Sequence, residues 1–209
     1  MMKKIITLIL TGITMFALGG CGATNFDAKD YVEAALDAKF HREYEEYAKQ
    51  IDISVKEAKE QMEGEFNESL KTSMNEAGIP ITEAEMEEYL KLEAEIREKV
   101  QYQVKTAKKD DEGNFAVKVL ITPVSVYTNL KTTFTNKLTS AIQNGATENQ
   151  YMAIFLEAMK ECIANVGTGE PETMTLHVKW EEINKKKVYS ISEKEWLKVD
   201  AVAIGETAD

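Results

Sequence analysis

The sequence predicts an α+β domain in which several amphipathic helices pack against an antiparallel sheet of about four strands, arranged as two hairpins. Two observations predict this class. Apolar residues recur every three to four positions through long segments, which is typical of helices, and at every second position around residues 102–121 and 173–191, which is typical of strands. Within each of these two regions a short charged turn separates two strand segments, so each pair is expected to form a hairpin.

The N-terminus has the layout of a secretory signal. Lys3 and Lys4 give a basic start, and residues 5–18 form an apolar run interrupted only by Thr and Gly. The run is too short to span a bilayer as a stable helix. We therefore predict a signal peptide over residues 1–20.

The signal ends in a short motif that resembles the lipobox of bacterial lipoproteins. Leu18, Gly19 and Gly20 precede Cys21. Small residues let the backbone enter the site of a signal peptidase, and the cysteine sulfur accepts a diacylglyceryl group. The motif predicts peptidase recognition through these three residues, lipidation at Cys21 and a location on the extracytoplasmic face of the cell membrane. The alternative is an ordinary secretory signal with an incidental cysteine.

Charge and cysteine content limit the function of the remainder. The chain has 25 Lys and Arg against 36 Asp and Glu, a formal net charge of −11, which argues against nucleic acid as a partner. If Cys21 is lipidated, Cys162 has no cysteine left to pair with, so the core and not a disulfide must stabilise the domain. We predict a lipidated short tether over 21–26, a single extracytoplasmic domain over 27–205 and a frayed tail over 206–209.

Three helices are predicted before the first hairpin. Asp27 is a plausible N-cap of a first helix that carries one apolar face through Tyr47. Capping boxes, in which a hydroxyl residue is followed three positions later by an acid, open the second and third helices. The apolar face of the first helix consists of Val32, Leu36, Phe40, Tyr44 and Tyr47, and the boxes are Ser54 with Glu57 and Thr82 with Glu85.

The remaining elements alternate between hairpins and helices. Alternating residues predict a first hairpin whose turn is the charged segment 108–114, and Pro123 marks the end of its second strand. Two helices come next, the second of them opened by Thr147 and Gln150. A second hairpin begins at residue 173, turns at residues 185–187, and leads to a last helix capped by Ser192 and Glu195.

Two segments carry a resemblance to known proteins. The motif at Cys21 followed by YVEAALDAKFHREYEEYAK, and later by VQYQVKTAKKDDEGNFAVKVLI, is similar to a group of uncharacterised lipoproteins of Gram-positive, clostridia-like bacteria with a domain of unknown function. The resemblance implies helices that wrap a curved antiparallel sheet, as in NTF2-like and cystatin-like folds. It implies no catalytic residues.

The sequence contains no recognisable catalytic or cofactor-binding motif, and we predict neither catalytic residues nor a cofactor or metal. The two histidines, His41 and His177, are expected at the surface, because a site needs a convergent set of groups. Two clusters of mostly acidic residues are expected to be exposed to solvent. They are not expected to bind calcium, because their residues lack the spacing of a calcium-binding loop. They comprise Glu83, Glu85, Glu87, Glu88, Glu93 and Glu95, and then Asp110, Asp111, Glu112 and Asn114.

Aromatic residues offer one candidate for a binding pocket. Tyr44, Tyr102, Phe115 and Trp180 lie in elements that would line the concave face of the sheet, although they would serve equally as core. Two function classes stay open. One is a non-catalytic binding or interaction module that takes a small apolar ligand or an envelope protein, and the other is an envelope enzyme with a site of carboxylates and tyrosines.

Overall fold

The computed structural model describes residues 26–77, 80–183 and 186–205, and they form an α+β domain of the predicted class. The predicted signal peptide 1–20, its recognition residues Leu18, Gly19 and Gly20, the lipidation site Cys21 and the tail 206–209 lie outside the described residues. Within the described ranges, no helix is both long and apolar enough to cross a membrane.

The helices and strands alternate in groups along the chain. The helices are α1 (Ala28–Leu36), α2 (Glu45–Ile51), α3 (Val55–Ala77), α4 (Glu83–Arg97), α5 (Val126–Gln143), α6 (Tyr151–Ala164) and α7 (Glu193–Ala203). The strands are β1 (Gln101–Lys109), β2 (Phe115–Thr122), β3 (Glu172–Ile183) and β4 (Lys186–Ile191). A short 3₁₀ turn, Glu148–Gln150, precedes α6.

The four strands form one antiparallel sheet in the order β1-β2-β3-β4. The two predicted hairpins are confirmed as β1–β2 and β3–β4, and they join through pairing of β2 with β3, in which Phe115 lies opposite Val178. Helices α5 and α6, which pack on each other, connect these two central strands. Val117 and Val119 of β2 and Leu176 of β3 are fully buried.

Helix starts depend closely on the local sequence. The Ser54 hydroxyl oxygen accepts from the backbone N–H of Glu57 at 3.2 Å while the Glu57 carboxylate accepts from the backbone N–H of Ser54 at 2.9 Å. Thr82 and Glu85 make the same reciprocal pair at 3.2 and 2.8 Å. Both predicted capping boxes are therefore confirmed, because such contacts depend only on neighbours three residues apart.

The prediction of one continuous first helix is wrong. Residues Asp37–His41 form a wider π-type turn after α1, and Arg42 takes a left-handed backbone conformation with φ of 60° before α2 begins. A π-type turn inserts one extra residue and so changes the direction in which the later side chains point. Ala38, Lys39 and Phe40 in this turn are buried.

Candidate functional site

A cavity of about 530 Å³ opens between the Asp37–His41 turn, α3 and α4. Its wall carries acids, bases and apolar side chains in similar numbers. The lining residues are Ala38, Lys39, Arg42, Tyr44, Met62, Glu63, Asn67, Glu87, Leu90, Lys91, Glu93, Ala94, Glu95, Arg97 and Glu98. This cavity is the candidate functional site.

Lys39 is held at the base of the cavity by a partner from the far end of the chain. Its ammonium Nζ lies 2.9 and 3.0 Å from the two carboxylate oxygens of Asp200 in α7 and 5.3 Å from the centre of the Trp196 ring. The Lys39 side chain is only 1% exposed. Burial lowers the pKa of Lys39 to about 8, against the opposing attraction of Asp200.

Glu93 is the second buried charge of the cavity. Its carboxylate is 2% exposed and accepts the Tyr89 hydroxyl at 3.0 Å and the Tyr127 hydroxyl at 2.8 and 2.9 Å. The Arg97 guanidinium Nε lies 3.9 Å away. Burial raises the pKa of Glu93, because the hydrogen bonds and the positive charge of Arg97 offset only part of the cost of desolvation.

The two buried pairs act on each other. Burial disfavours the charged form of Arg97, but Asp200 and Glu93 attract it, and together they raise the pKa of Arg97. We call Lys39, Glu93, Arg97 and Asp200 the buried ion cluster. Its two cations and two anions balance, which is the usual condition for keeping charges away from water.

A second, more exposed ion pair lies at the rim of the cavity. Arg42 donates from Nε to the Glu63 carboxylate at 3.0 Å and makes a second, shorter contact through its terminal nitrogen. The Tyr44 hydroxyl donates to the same carboxylate oxygen at 2.9 Å. Burial raises the pKa of Tyr44 to about 12, so this hydroxyl keeps its proton at neutral pH.

The polar groups of the cavity differ in how far a ligand could reach them. Burial raises the pKa of both tyrosine hydroxyls beside Glu93 well above the ordinary value. Glu93 already accepts from Tyr89 and Tyr127 and lies beside Arg97. The groups that a ligand would meet are the partly exposed ones at the rim and on α4.

The four aromatic residues of the predicted pocket lie in three different surroundings. Tyr44 lines the cavity described above, whereas Tyr102 lines a second cavity of about 420 Å³ together with His41. Phe115 and Trp180 both contact the ring of Tyr189, away from both cavities. The structure thus brings Phe115 and Trp180 together and separates Tyr44 and Tyr102 from them.

The two histidines differ in environment. His177 is a surface residue, as predicted, with a side chain 54% exposed and a contact to the Glu195 carboxylate at 3.2 Å. His41 is only partly exposed, and its ring nitrogens lie 3.1 Å from the Val100 carbonyl and 3.3 Å from the Tyr102 hydroxyl. The expectation of a solvated His41 is wrong, because the π-type turn brings it against β1.

Sequence reasoning missed the buried ion cluster. Glu93 was expected on the solvated face of its helix, and Lys39 lies in a charged run that reads as surface. One signal was available, because Tyr89, Glu93 and Arg97 occur at four-residue spacing and so share a helix face. The pairing of Lys39 with Asp200 carries no such signal, since the two residues lie 161 positions apart.

Among the described residues, no group of three or more His, Cys, Asp or Glu side chains is placed to hold a metal ion. Cys162 is a buried free thiol in α6, in agreement with the prediction that it serves as a small core residue.

The chain matches no family model, no curated protein and no solved structure. The resemblance to uncharacterised clostridia-like lipoproteins, and to NTF2-like or cystatin-like folds, therefore stays a prediction. The fold and the cavity define a helix-rich α+β domain with a cleft lined by charged residues.

Proposed function

We propose that the protein is a membrane-anchored extracytoplasmic lipoprotein that acts as a non-catalytic binding module at the cell envelope. A diacylglyceryl group on Cys21 would hold it at the extracytoplasmic face of the cell membrane. The support is the order of basic start, apolar run and small residues before the cysteine. Two acyl chains suffice for stable anchoring without a spanning helix, at about 0.8 kcal/mol per buried methylene.

The observation that carries the binding function is the cleft of about 530 Å³ above a charge-balanced floor. Clefts of this size accept small molecules. Arg42 and Lys91 offer positive charge, Glu63 and Glu98 offer negative charge, and Met62 and Leu90 add apolar surface. Groups of both signs beside apolar walls suit a small zwitterionic ligand better than the purely apolar ligand that the aromatic residues suggested.

The second candidate is an envelope enzyme with a carboxylate and tyrosine site, and Glu93 beside Tyr89 and Tyr127 is the observation in its favour. The burial of Glu93 speaks for a structural role, since a catalytic acid must reach its substrate. An envelope protein is the other class of partner for a binding module.

Anchoring is tested by labelling cells with radioactive palmitate. The natural protein should incorporate label and sediment with membranes, whereas the variant Cys21→Ser should do neither. Label on the Cys21→Ser protein equal to that on the natural one, or natural protein free in the medium, would contradict lipidation at this residue.

Binding is tested on soluble protein starting at residue 22, with amino acids and dipeptides as the zwitterionic probes. At least one probe should raise the thermal midpoint of unfolding. The test variant Ala94→Trp fills the cleft from α4 and should abolish the rise in the thermal midpoint. The control variant Ala116→Ser, on β2 and away from the cleft, should keep that rise. An equal rise with Ala94→Trp would place binding elsewhere, and probe turnover that Glu93→Gln abolishes would favour the enzyme.

A further inference from the structure

A group of five aromatic rings lies where the described chain begins. Phe26 stacks on Tyr189 with ring centres 3.8 Å apart, and Tyr189 contacts Trp180 at 4.5 Å and Phe115 at 5.6 Å. Tyr31 closes the group against Phe26 at 5.5 Å. We call these five residues the aromatic cluster. Tyr31 is buried, but the other four rings are partly exposed to solvent, although all four are large and largely apolar.

The cluster marks one end of the sheet. Phe115 is the first residue of β2 and lies opposite Lys109, the last residue of β1. The turn between them contacts the cluster, because the Asn114 side-chain oxygen accepts the backbone N–H of Trp180 at 3.0 Å. Strand β3 extends beyond Val178 at this same end, where residues 178–183 pair with β4. The turn ends of both hairpins and the N-terminus of the domain therefore share one end of the molecule.

The distance to the predicted anchor is short. Five residue steps join Cys21 to Phe26, and they span at most about 18 Å when fully extended. The radius of gyration expected for a domain of this length is about 16 Å. A lipidated Cys21 would thus keep the aromatic cluster within roughly one domain radius of the lipid, because Phe26 itself belongs to the cluster.

Charge around the cluster is mixed. Three exposed lysines, Lys108, Lys109 and Lys179, balance the charge of the three carboxylates in the turn at residues 110–112. The Lys109 Nζ lies 5.4 Å from the centre of the Phe115 ring. Among these described residues the three positive and three negative charges cancel, so they give no preference for anionic lipid. Tryptophan and tyrosine instead favour the headgroup level of a bilayer, where one part of the ring is apolar and another is hydrated.

We propose that the aromatic cluster is a membrane-contact surface and that Trp180, Tyr189 and Phe26 rest in the interfacial layer of the phospholipid bilayer that anchors the chain. The contact would orient the domain with the turn ends of both hairpins toward the lipid. The inference rests on the proposed lipid anchor, and it adds a second attachment that depends on the folded domain.

The test uses the lipidated full-length protein in phosphatidylcholine vesicles that carry a nitroxide high on the acyl chain. The chain has two tryptophans, and Trp196 is buried in the core beside Lys39. In the variant Trp196→Phe, Trp180 is the one remaining tryptophan. The nitroxide should lower its fluorescence emission at least about twofold, because Trp180 would lie at the depth of the bilayer interface. Trp196 alone, in Trp180→Phe, should be unchanged.

A second measurement avoids any change in the rings. A fluorophore on Lys109→Cys should be quenched, and the same fluorophore on Gln101→Cys, at the other end of β1 and equally exposed, should not. Flotation with the vesicles is recorded for each sample. If the protein floats with the vesicles but neither Trp180 nor the fluorophore on Lys109→Cys is quenched, the proposed membrane contact is wrong and the proposed lipid anchor is retained. If the protein does not float, the proposed lipid anchor is wrong.

Discussion

The buried ion cluster and the aromatic cluster both join distant parts of the chain, but they do so by opposite means. Lys39, Glu93, Arg97 and Asp200 are held away from water by matched charges, so each group depends on its partner. In the aromatic cluster, Phe26, Phe115, Trp180 and Tyr189 contact one another through ring faces and edges. Loss of one charge should therefore cost the fold more than loss of one ring.

The largest effect is expected from Asp200→Ala. The variant leaves the Lys39 ammonium buried without its carboxylate, and breaking a buried pair in this way costs about 3–5 kcal/mol in free energy of unfolding. Urea denaturation of the soluble domain measures the loss. Glu193→Ala in the same helix is the matched control, because Glu193 is exposed and should cost less than about 0.5 kcal/mol.

The charge on Lys39 can also be tested by pH. Its pKa in the folded protein is about 8, below the ordinary value of 10.5, so between these values the unfolded chain binds more protons than the folded chain. Stability supplied by this residue should therefore rise as pH rises, by about 2 kcal/mol between pH 8 and 10. The measurement is the free energy of unfolding at each pH, for natural protein and for Lys39→Met.

Only the difference between the two proteins reports on Lys39, because other groups titrate in both. A parallel pH dependence for Lys39→Met and the natural protein would contradict the assignment. The aromatic-cluster variant Phe115→Leu serves as a second comparison and should show the same pH dependence as the natural protein.

A smaller effect is expected when the aromatic cluster loses its central ring. Tyr189→Ala removes contacts to Phe26, Phe115 and Trp180, and for a partly exposed ring this should cost about 1–2 kcal/mol, below the range for a fully buried aromatic residue. Tyr189→Phe keeps the ring and should be nearly neutral. A loss as large as that of Asp200→Ala would show that the two clusters do not differ in the expected way.

The smallest effect is expected at the link between the Asp37–His41 turn and β1. The Tyr102 hydroxyl donates to Asp37 and lies near the His41 ring. Tyr102→Phe removes these contacts at a partly exposed position and should cost about 1 kcal/mol. Denaturation measures it, with Tyr151→Phe as a control, because Tyr151 is also partly exposed and its hydroxyl makes no hydrogen bond to any described residue. An equal loss for both variants would mean that the contacts of the Tyr102 hydroxyl to Asp37 and His41 contribute nothing specific to stability.

The contrast between the clusters also explains which features the sequence could predict. Capping boxes such as Ser54 with Glu57 depend on residues three apart, and strand alternation such as that of Leu176 and Val178 depends on residues two apart, so both were predicted correctly. Two features differ from these: the extra residue of the π-type turn, and the pairing of Lys39 with Asp200 at the other end of the chain. No local pattern encodes either of them.

The candidate site was less predictable than the fold for the same reason. Residue type alone predicts Tyr44 and Tyr102 as pocket residues, and residue type does not determine which side chains meet; the structure has them in separate cavities. Arg42, which ends the Asp37–His41 turn with φ of 60°, is a further example. A non-glycine residue with positive φ is uncommon, so a sequence that reads as helix gives no reason to expect one.

The connection between α5 and α6 has a practical consequence. Gly145 has φ of 89°, the space around its Cα is open, and residues 143–145 and 147–150 are exposed. Because each doubling of a flexible loop costs only about 0.6 kcal/mol, an epitope tag inserted after Gly145 should be tolerated. Antibody staining of intact cells could then report which side of the membrane the domain occupies, without altering either terminus.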